Sequence, residues 1–469
     1  MVDKRVHCIG IGGIHVSAVA KLLNSRGVLV SGSDAVENEH VRELRALGIQ
    51  VAIGHAASNI PEGTGTVVYS DAVPETNPER MEAAARGIEQ CHSHQFLGNL
   101  FLDARQVVIT GTHGKSTTTA MVGTLLIAAG EDPTVVVGTK VPSFSGGNLH
   151  IGGSNLLVVE GDEYRSHVLS YHPNVLVITN IEHDHPDVFP NLSAYTDLFR
   201  KVMDQIREQG VLIYERDDEH ARELVESQRE SLRAREIRVI SVGQESGDVQ
   251  FSQPHVQNGR WCSRMRQGDR DLQLAVRVPG EMNMRNAALA AAVSWNWTSE
   301  IDSTIISGSL GEFPGCWRRF EYVCDWNGVR IISDYAHHPT EVAETLKAAK
   351  AAFPQSRIIL CFQPHQHSRT KGLFDAFLPA FDGADVLILA EIYDVPGREA
   401  AEDADVSSEQ LLTEIAKRDT VKGITRELVY AKNPTVAERL VRERAKEGDL
   451  VLIMGAGDID AVARQLCME

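Results

Sequence analysis

The sequence lacks several features that would place it in a specialised class of protein. It contains no apolar run of about 18 or more residues, so no membrane-spanning helix is predicted. It contains no block of lysines and arginines, and its formal net charge of -18 would repel a nucleic-acid backbone. Its N-terminus shows no signal-peptide cleavage pattern. We therefore expect a cytoplasmic protein with no nucleic-acid or membrane partner.

Disulfide and zinc patterns are missing as well. The seven cysteines are odd in number and include no C-x-x-C pair, so we expect buried, reduced thiols. The histidine-rich segments "EHDHPD", "CHSH" and "PHQH" leave zinc binding open as an alternative. We favour scattered surface or turn histidines for these segments.

The chain has the composition of a folded protein, with 43% hydrophobic and 23% charged residues among 469. This length suggests three domains, which we place at 1–104, 105–310 and 311–469. In the last of them, the segments "VRIISDYAHHP", "SRIILCFQPHQ", "ADVLILAEIYD" and "DLVLIMGAGDI" alternate with helical patterns. That alternation predicts a parallel, doubly wound sheet. The expected fold is α/β, with a Rossmann-like N-terminal domain, a P-loop ATPase-like central domain and a Rossmann-like C-terminal domain.

The segment "VVITGTHGKSTTTAMVGTLL" predicts a phosphate-binding loop between a strand and a helix. Gly111 and Gly114 allow a tight turn, and the helix N-terminus offers unpaired N–H groups to an anion. Lys115 adds a mobile charge, and the Ser116 hydroxyl can bind Mg²⁺. Ile109 stands where a full Walker sequence has its first glycine, so the motif is a short form. We predict that Lys115→Ala abolishes nucleotide turnover and leaves the fold intact.

Acidic and histidine side chains follow two further apolar segments of the central domain. Glu160 ends "NLLVVE", while Asp184 and His185 lie in "NIEHDHPD" after the next predicted strand. Open α/β sheets bind ligands at the carboxyl ends of their strands. We therefore predict that Ser116, Glu160 and His185 bind Mg²⁺, which prefers oxygen-rich sites on phosphates.

Taken in order, these motifs resemble the Mur ligase family of peptidoglycan synthesis. The resemblance rests on "GIGGI", "SGSD", "GTHGKSTTT", "VVEGDE", "TNIEHDH", "PGEMNMRNAALAAA", "RRFE", "SDYAHHPTEV", "FQPHQHSRT" and "MGAGDI". It implies an ATP-dependent amide ligase with a UDP-sugar-binding N-terminal domain, a central ATP domain and a C-terminal amino-acid domain. It also implies UDP-N-acetylmuramate and L-alanine as substrates, an acyl-phosphate intermediate, ATP and Mg²⁺ as cofactors, and a monomer or homodimer.

The resemblance assigns roles to individual residues. The ATP-binding set is Gly111, Thr112, His113, Gly114, Lys115, Ser116 and Thr117 at the phosphates, Asn283 and Asn286 near the adenine, and Arg318 and Asp334 from the third domain. The UDP-sugar-binding set is Gly10, Gly12, Gly13, Ile14, Ser33 and Asp34. The residues matched to the amino-acid pocket are His337, His338 and Arg369. The residues expected to act in catalysis are Lys115, Glu160, His185, His338 and Arg369, with His337 or His338 as the base that deprotonates the amine.

Other functions stay open on the sequence alone. "GDEY" and "HPDVFPNL" also fit a recycling ligase that attaches a murein tripeptide, and Gln366 replaces an arginine of the family pattern. "GIGGIH" with Asp34 imitates the fingerprint of an NAD-dependent dehydrogenase, although His15 replaces its third glycine. A nucleotide-regulated binding protein that has lost its chemistry is a further alternative.

Overall fold

The computed structural model describes residues 4–298, 301–394 and 405–468. It confirms the predicted α/β fold with parallel sheets. The chain forms two compact units, of which the first comprises Met1–Ile181, Thr196–Val242 and Leu289–Ile306, and the second comprises Glu182–Tyr195, Gly243–Ala288 and Ser307–Glu469. Within the described ranges, no helix has the length and apolar character needed to span a bilayer.

The first unit begins with a parallel five-stranded sheet in the order β3-β2-β1-β4-β5. Its strands are β1 Arg5–Ile9, β2 Leu29–Asp34, β3 Gln50–Ile53, β4 Thr66–Tyr69 and β5 Glu89–His92. Its helices are α1 Ile14–Ser25, α2 Glu39–Ala46, α3 Pro78–Ala85 and α4 Ser93–Leu100, with a 3₁₀ turn at Ala57–Asn59. The strand order reverses between β1 and β4, which makes the carboxyl ends of these two strands a natural ligand-binding position.

A second sheet of the first unit positions the predicted phosphate loop. Its strands are β6 Arg105–Thr110, β7 Thr134–Val136, β8 Leu149–His150, β9 Leu156–Glu160, β10 Val175–Ile178, β11 Val211–Glu215 and β12 Arg238–Gln244. They run in the order β8-β7-β9-β6-β10-β11-β12, and all neighbours are parallel except β8 and β7. The accompanying helices are α5 Lys115–Ala128, α6 Leu192–Asp204, α7 Glu219–Ser227 and α8 Arg229–Ala234, with a 3₁₀ segment at Tyr164–Ser170. Ile109 of β6 pairs with Glu160 of β9, so that carboxylate lies beside the start of the loop.

The second unit contains antiparallel strands that the sequence did not predict, and a six-stranded sheet of which it predicted four parallel strands. The antiparallel strands are β13 Val249–Phe251, β14 His255–Gln257, β15 Arg260–Gln267 and β16 Arg270–Val276. The larger sheet consists of β17 Glu321–Trp326, β18 Val329–Asp334, β19 Ile358–Phe362, β20 Val386–Ala390, β21 Glu427–Ala431 and β22 Leu450–Met454. Its order is β17-β18-β22-β19-β20-β21, and β17 alone is antiparallel to its neighbour in this described sheet.

Helices cover both faces of this larger sheet, which has a hydrophobic core on each face. The remaining helices among the described residues are α9 Glu281–Trp297, α10 Ser303–Glu312, α11 Pro339–Ala352, α12 His367–Gly372, α13 Phe374–Ala380, α14 Ser408–Lys422, α15 Pro434–Arg444 and α16 Asp460–Leu466. All four parallel strands expected in this region are present as β18, β19, β20 and β22. The doubly wound sheet is therefore confirmed.

The expectation that every cysteine is reduced is wrong. A disulfide joins Cys324 of β17 to Cys467, just after α16, with a Cα–Cα distance of 6.0 Å. The two residues are 143 positions apart, so no short spacing in the sequence reveals the pair. The other five cysteines are free and buried, as expected.

Candidate active site

The loop between β6 and α5 requires glycine at two positions. Gly111 has a φ of +129°, and a Cβ there would lie 2.2 Å from Thr179 Oγ1. Gly114, the residue before α5, has a left-handed φ of +80°. Both conformations are accessible to glycine and strained for other residues. The turn thereby points the first N–H groups of α5 at the space in front of the helix, where an anion binds best.

Residues that follow β10 hold this loop in place. The Thr112 N–H donates to the Asn180 carbonyl at 3.0 Å, and the His113 N–H donates to Asn180 Oδ1 at 2.9 Å. Thr179 Oγ1 donates to the His113 carbonyl at 2.7 Å. Thr179 and Asn180 were not among the predicted site residues, although "TN" directly follows an apolar strand segment. Their bonds make the loop a preformed structure.

Lys115 is paired with groups of the protein itself. Its ammonium donates to Glu163 Oε1 at 2.8 Å and to two carbonyl oxygens of the loop, at 2.7 and 2.9 Å. The Glu163 side chain is 2% exposed, against 14% for Lys115. Burial alone would lower the pKa of Lys115, but Glu163, Glu160 and Asp162 together raise it above its ordinary value. Lys115 is therefore a charged ammonium at neutral pH, and Glu163 is a site residue that the sequence analysis missed.

Ser116 and Glu160 form a pair of oxygen donors at the start of α5. Ser116 Oγ donates to Glu160 Oε1 at 2.9 Å, and the Gly138 N–H donates to Glu160 Oε2 at 2.6 Å. Ser116 and Thr117 are both buried. A hydroxyl next to a carboxylate is the donor set that Mg²⁺ prefers on a phosphate substrate, so these residues fit the predicted metal. His185, the third predicted ligand, belongs to the second unit.

The residues predicted to bind the UDP-sugar lie together at the carboxyl ends of β1 and β2. They are Gly10, Gly12, Gly13, Ile14, Ser33 and Asp34. The Gly12 N–H donates to Asp34 Oδ2 at 2.8 Å, which closes the glycine turn ahead of α1. Ser33 Oγ donates to the fully buried Glu79 at 2.6 Å, so this hydroxyl takes part in a hydrogen bond inside the domain.

In the second unit, Arg369 contacts Asp184 and the predicted catalytic residue His185. Its Nε donates to Asp184 Oδ1 at 2.9 Å, and its Nη2 lies 3.3 Å from His185 Nδ1. Arg369 and Asp184 are both buried. Burial opposes ionisation of Asp184, but the Arg369 guanidinium holds the pKa of this carboxyl well below its usual range. The pair thus fixes the position of His185, whose backbone φ is +53°.

The two histidines of "HHP" differ in what they can do. Burial, helped by the charge of Arg369, lowers the pKa of His337 to about 3, so its ring is neutral at pH 7. His338 precedes α11, and its Nδ1 accepts a hydrogen bond from the Thr340 N–H at 3.3 Å. With Glu341 it forms a capping box at the start of α11. His338 therefore has a clear structural role in addition to its predicted chemical one.

The residues predicted to contact the nucleotide from the second unit are buried and hydrogen-bonded to one another or to backbone. Asn286 Nδ2 donates to Asn283 Oδ1 at 3.2 Å near the start of α9. Asp334 accepts hydrogen bonds from two backbone N–H groups, at 2.6 and 2.7 Å, and burial raises its pKa to about 6. Arg318 donates to the Gly457 carbonyl at 3.2 Å. These side chains are preorganised, because their neighbours fix them before any ligand binds.

Three family models match consecutive parts of the chain. They are the Mur ligase family catalytic domain over residues 5–105, the Mur ligase middle domain over 109–294, and the Mur ligase glutamate ligase domain over 318–457.

Similar proteins span the full length of the chain. A UDP-N-acetylmuramate–L-alanine ligase of Clostridium novyi is 36% identical over 462 residues, which are 97% of this chain and 96% of the relative. A crystal structure of the UDP-N-acetylmuramate–alanine ligase of Thermotoga maritima matches with a TM-score of 0.81 and 27% identity, over 99% of this chain and 98% of that one. A murein peptide ligase of Psychrobacter arcticus, at 21% identity, has a TM-score of 0.71 over 99% and 98% of the two chains. At 21% identity, the similarity to the Psychrobacter arcticus protein shows a shared fold.

Proposed function

The chain belongs to the Mur ligase family, and on this premise we propose that it joins L-alanine to the carboxylate of UDP-N-acetylmuramate. It is an ATP-dependent carbon–nitrogen ligase. The proposed substrates are those for which its full-length relatives are named. The observation that carries the proposal is the preformed phosphate loop, in which Lys115 and the Ser116–Glu160 pair stand at one helix N-terminus. We also retain the predictions of a cytoplasmic location and a monomeric or homodimeric state.

We propose one ligand for each sequence domain. Residues 1–104 would bind the UDP-sugar, 105–310 would bind ATP, and 311–469 would bind the amino acid. Supporting this division, the glycine turn at the end of β1 and the phosphate loop at the end of β6 follow two separate parallel sheets of the first unit. Each turn leads into a helix N-terminus that suits a phosphate group.

ATP binding would use backbone and side-chain donors of residues 111–117. When ATP binds, the Lys115 ammonium would leave Glu163 and bind the outer phosphates, because the carboxylate and the phosphates are both anions that can accept its hydrogen bonds. Ser116, Glu160 and His185 would hold Mg²⁺, which when bound neutralises charge on the phosphates. The Asn283 and Asn286 amides would contact the adenine. Their contacts would complete the nucleotide site.

In the first chemical step, the carboxylate of the sugar acid would attack the γ-phosphorus of ATP. The bond to the β–γ bridging oxygen breaks, ADP leaves, and an acyl phosphate forms. Lys115 would stabilise the negative charge that spreads over the transferring phosphoryl group. Arg318 and Asp334 would position the nucleotide for this transfer. The loop residues supply mainly orientation and electrostatic stabilisation.

In the second step, the amine of L-alanine would attack the acyl carbon and expel inorganic phosphate. The amine must first lose a proton, because α-amino groups are mostly protonated at pH 7. His337 or His338 would accept it, and the lowered pKa of His337 makes it a weaker base than an ordinary imidazole. Arg369 would position His185 through the contacts with Asp184 described above.

A substrate panel tests this proposal. Phosphate release would be measured with ATP, UDP-N-acetylmuramate and, in turn, L-alanine, L-serine, glycine or the tripeptide L-Ala-γ-D-Glu-meso-diaminopimelate. We expect release to require both the sugar acid and an amine, with L-alanine the best single amine. Rapid phosphate release from ATP without the sugar acid and without an amine would contradict coupled ligation. A clear preference for the tripeptide would instead indicate the recycling ligase.

A further inference from the structure

The first unit gathers four histidines beside an aspartate, in a group that the ligase chemistry leaves unused. We call Asp71, His15, His92, His94 and His167 the histidine cluster. The rings of His92 and His167 stack with centroids 4.1 Å apart, those of His94 and His167 at 4.7 Å, and those of His15 and His94 at 3.6 Å. The "CHSH" segment, for which scattered histidines were favoured, thus contributes to an ordered cluster.

Strand ends and a strained turn bring these side chains together. His92 is the last residue of β5, and Asp71 follows β4, the neighbouring parallel strand. His167 comes directly after Arg165 and Ser166, which have φ values of +46° and +62°. Such left-handed conformations are uncommon for residues with a Cβ. The backbone of the 3₁₀ segment thereby turns the His167 ring toward Asp71.

The atoms that face one another at Asp71 are metal-ligand atoms. His167 Nε2 lies 2.6 Å from Asp71 Oδ2, and His92 Nε2 lies 3.4 Å from Asp71 Oδ1. The three ligand atoms, one from each residue, lie within 4.8 Å of one another. His92 Nδ1 accepts the His94 N–H at 3.3 Å, which leaves Nε2 of His92 directed at the carboxylate. That buried Nε2 forms no hydrogen bond of good geometry within the described residues.

A tyrosine outside the histidine cluster orients one of its rings. His94 Nδ1 lies 3.1 Å from the Tyr171 hydroxyl, which fixes the ring that stacks on His167.

One positive group also reaches the carboxylate. Arg165 Nη1 lies 3.4 Å from Asp71 Oδ1, but its side chain is 55% exposed and can turn into solvent. Asp71, His92 and His167 are themselves between 11% and 17% exposed, so an ion can reach them.

We propose that Asp71, His92 and His167 form a binding site for a divalent transition metal such as Zn²⁺. Two imidazole nitrogens and a carboxylate suit Zn²⁺ or Co²⁺, whereas Mg²⁺ prefers oxygen ligands. Three protein ligands leave a fourth position for water or for an oxygen of a bound ligand. These residues are different from those proposed to hold Mg²⁺.

Metal titration of the full-length protein, stripped with a chelator and free of nucleotide, tests the proposal. Co²⁺ would be followed by visible absorption, and Zn²⁺ by competition with a chromophoric chelator. We expect one Zn²⁺ per chain, and an affinity that falls roughly tenfold or more in His167→Gln and in Asp71→Asn. His255→Gln, which changes an exposed histidine of β14, is the matched control and should bind as the wild type does.

Two further variants separate the possible outcomes. Glu160→Gln should keep its Zn²⁺ affinity, because that carboxylate belongs to the phosphate loop. If His167→Gln loses its native circular dichroism spectrum, His92→Gln replaces it in the comparison. Zn²⁺ affinity that is equal in the wild type and the folded cluster variants would overturn the proposal, as would a wild-type protein that binds no Zn²⁺. X-ray absorption of the Co²⁺ form should show scattering from imidazole.

Discussion

Replacement of Lys115 should destabilise the protein as well as inactivate it. The ammonium is the charged partner of Glu163, whose side chain is 2% exposed. Removing one partner of a buried ion pair costs about 3–5 kcal/mol, because the remaining charge is buried without compensation. Lys115 itself is 14% exposed, so solvent will reduce this cost, and we expect about 2–4 kcal/mol for Lys115→Ala. The sequence alone had predicted an intact fold.

A second substitution separates the two effects. The double variant Lys115→Ala, Glu163→Gln has no buried carboxylate without a partner, so it should regain most of the free energy of unfolding that Lys115→Ala loses. Turnover should stay absent in the double variant, because no ammonium is left to bind the outer phosphates of ATP. Glu163→Gln alone should keep measurable turnover, since Lys115 retains its bonds to two loop carbonyls.

Urea unfolding and ATP-dependent phosphate release would be measured for the wild type, both single variants and the double variant. Unfolding must be followed with a probe in the first unit, because a chain with several domains need not unfold in one step. The reasoning is refuted if Lys115→Ala is as stable as the wild type, or if the double variant turns over ATP.

Three other substitutions test separate parts of the site. Glu160→Gln should raise the Mg²⁺ concentration needed for half-maximal activity roughly tenfold or more, and an unchanged Mg²⁺ dependence would contradict the predicted ligand. Gly111→Ala should lose about 2–4 kcal/mol of stability, since its Cβ meets Thr179 and its φ is unfavourable. Gly130→Ala, with a φ of +81° and open space, is the control and should lose about 1–2 kcal/mol in the same urea assay. Asp334 has its folded pKa raised from 3.8 to about 6, so stability relative to Asp334→Asn should fall by up to about 3 kcal/mol as the pH rises from 4 to 7. If the free energies of unfolding of the wild type and Asp334→Asn change equally between pH 4 and 7, burial does not raise the pKa of this carboxyl.

The phosphate loop could be predicted because its determinants are local. The sequence places next to one another an apolar strand, Gly111, Gly114 and a lysine followed by hydroxyl residues. Both β6 and α5 begin and end close to where this pattern predicts them. The four parallel strands of the C-terminal sheet were predictable for the same reason, since each contains a local apolar run followed by polar residues. Strands β13 and β14 escaped prediction because they are only three residues long, and β15 and β16 because exposed residues interrupt their buried ones.

What could not be predicted depends on contacts between distant residues. Glu163 follows the "VVE" strand end by three positions, but its partnership with Lys115 depends on how β9 and β6 pair. The Cys324–Cys467 disulfide joins an edge strand to the last helix across most of the C-terminal region. In the histidine cluster, residue 15 lies at the start of α1, residue 71 in a loop, residue 92 at a strand end and residue 167 in a 3₁₀ segment, so no single motif contains them.

Isotope transfer tests the central claim most directly, namely that ATP held by the phosphate loop activates the carboxylate of the sugar acid. UDP-N-acetylmuramate labelled with ¹⁸O in its carboxylate would be turned over with ATP and L-alanine, and the inorganic phosphate analysed by mass spectrometry. The account predicts one ¹⁸O atom in each phosphate, because the carboxylate oxygen that attacks phosphorus leaves with it. Phosphate that carries no ¹⁸O, formed at the same rate as the amide, would contradict the account.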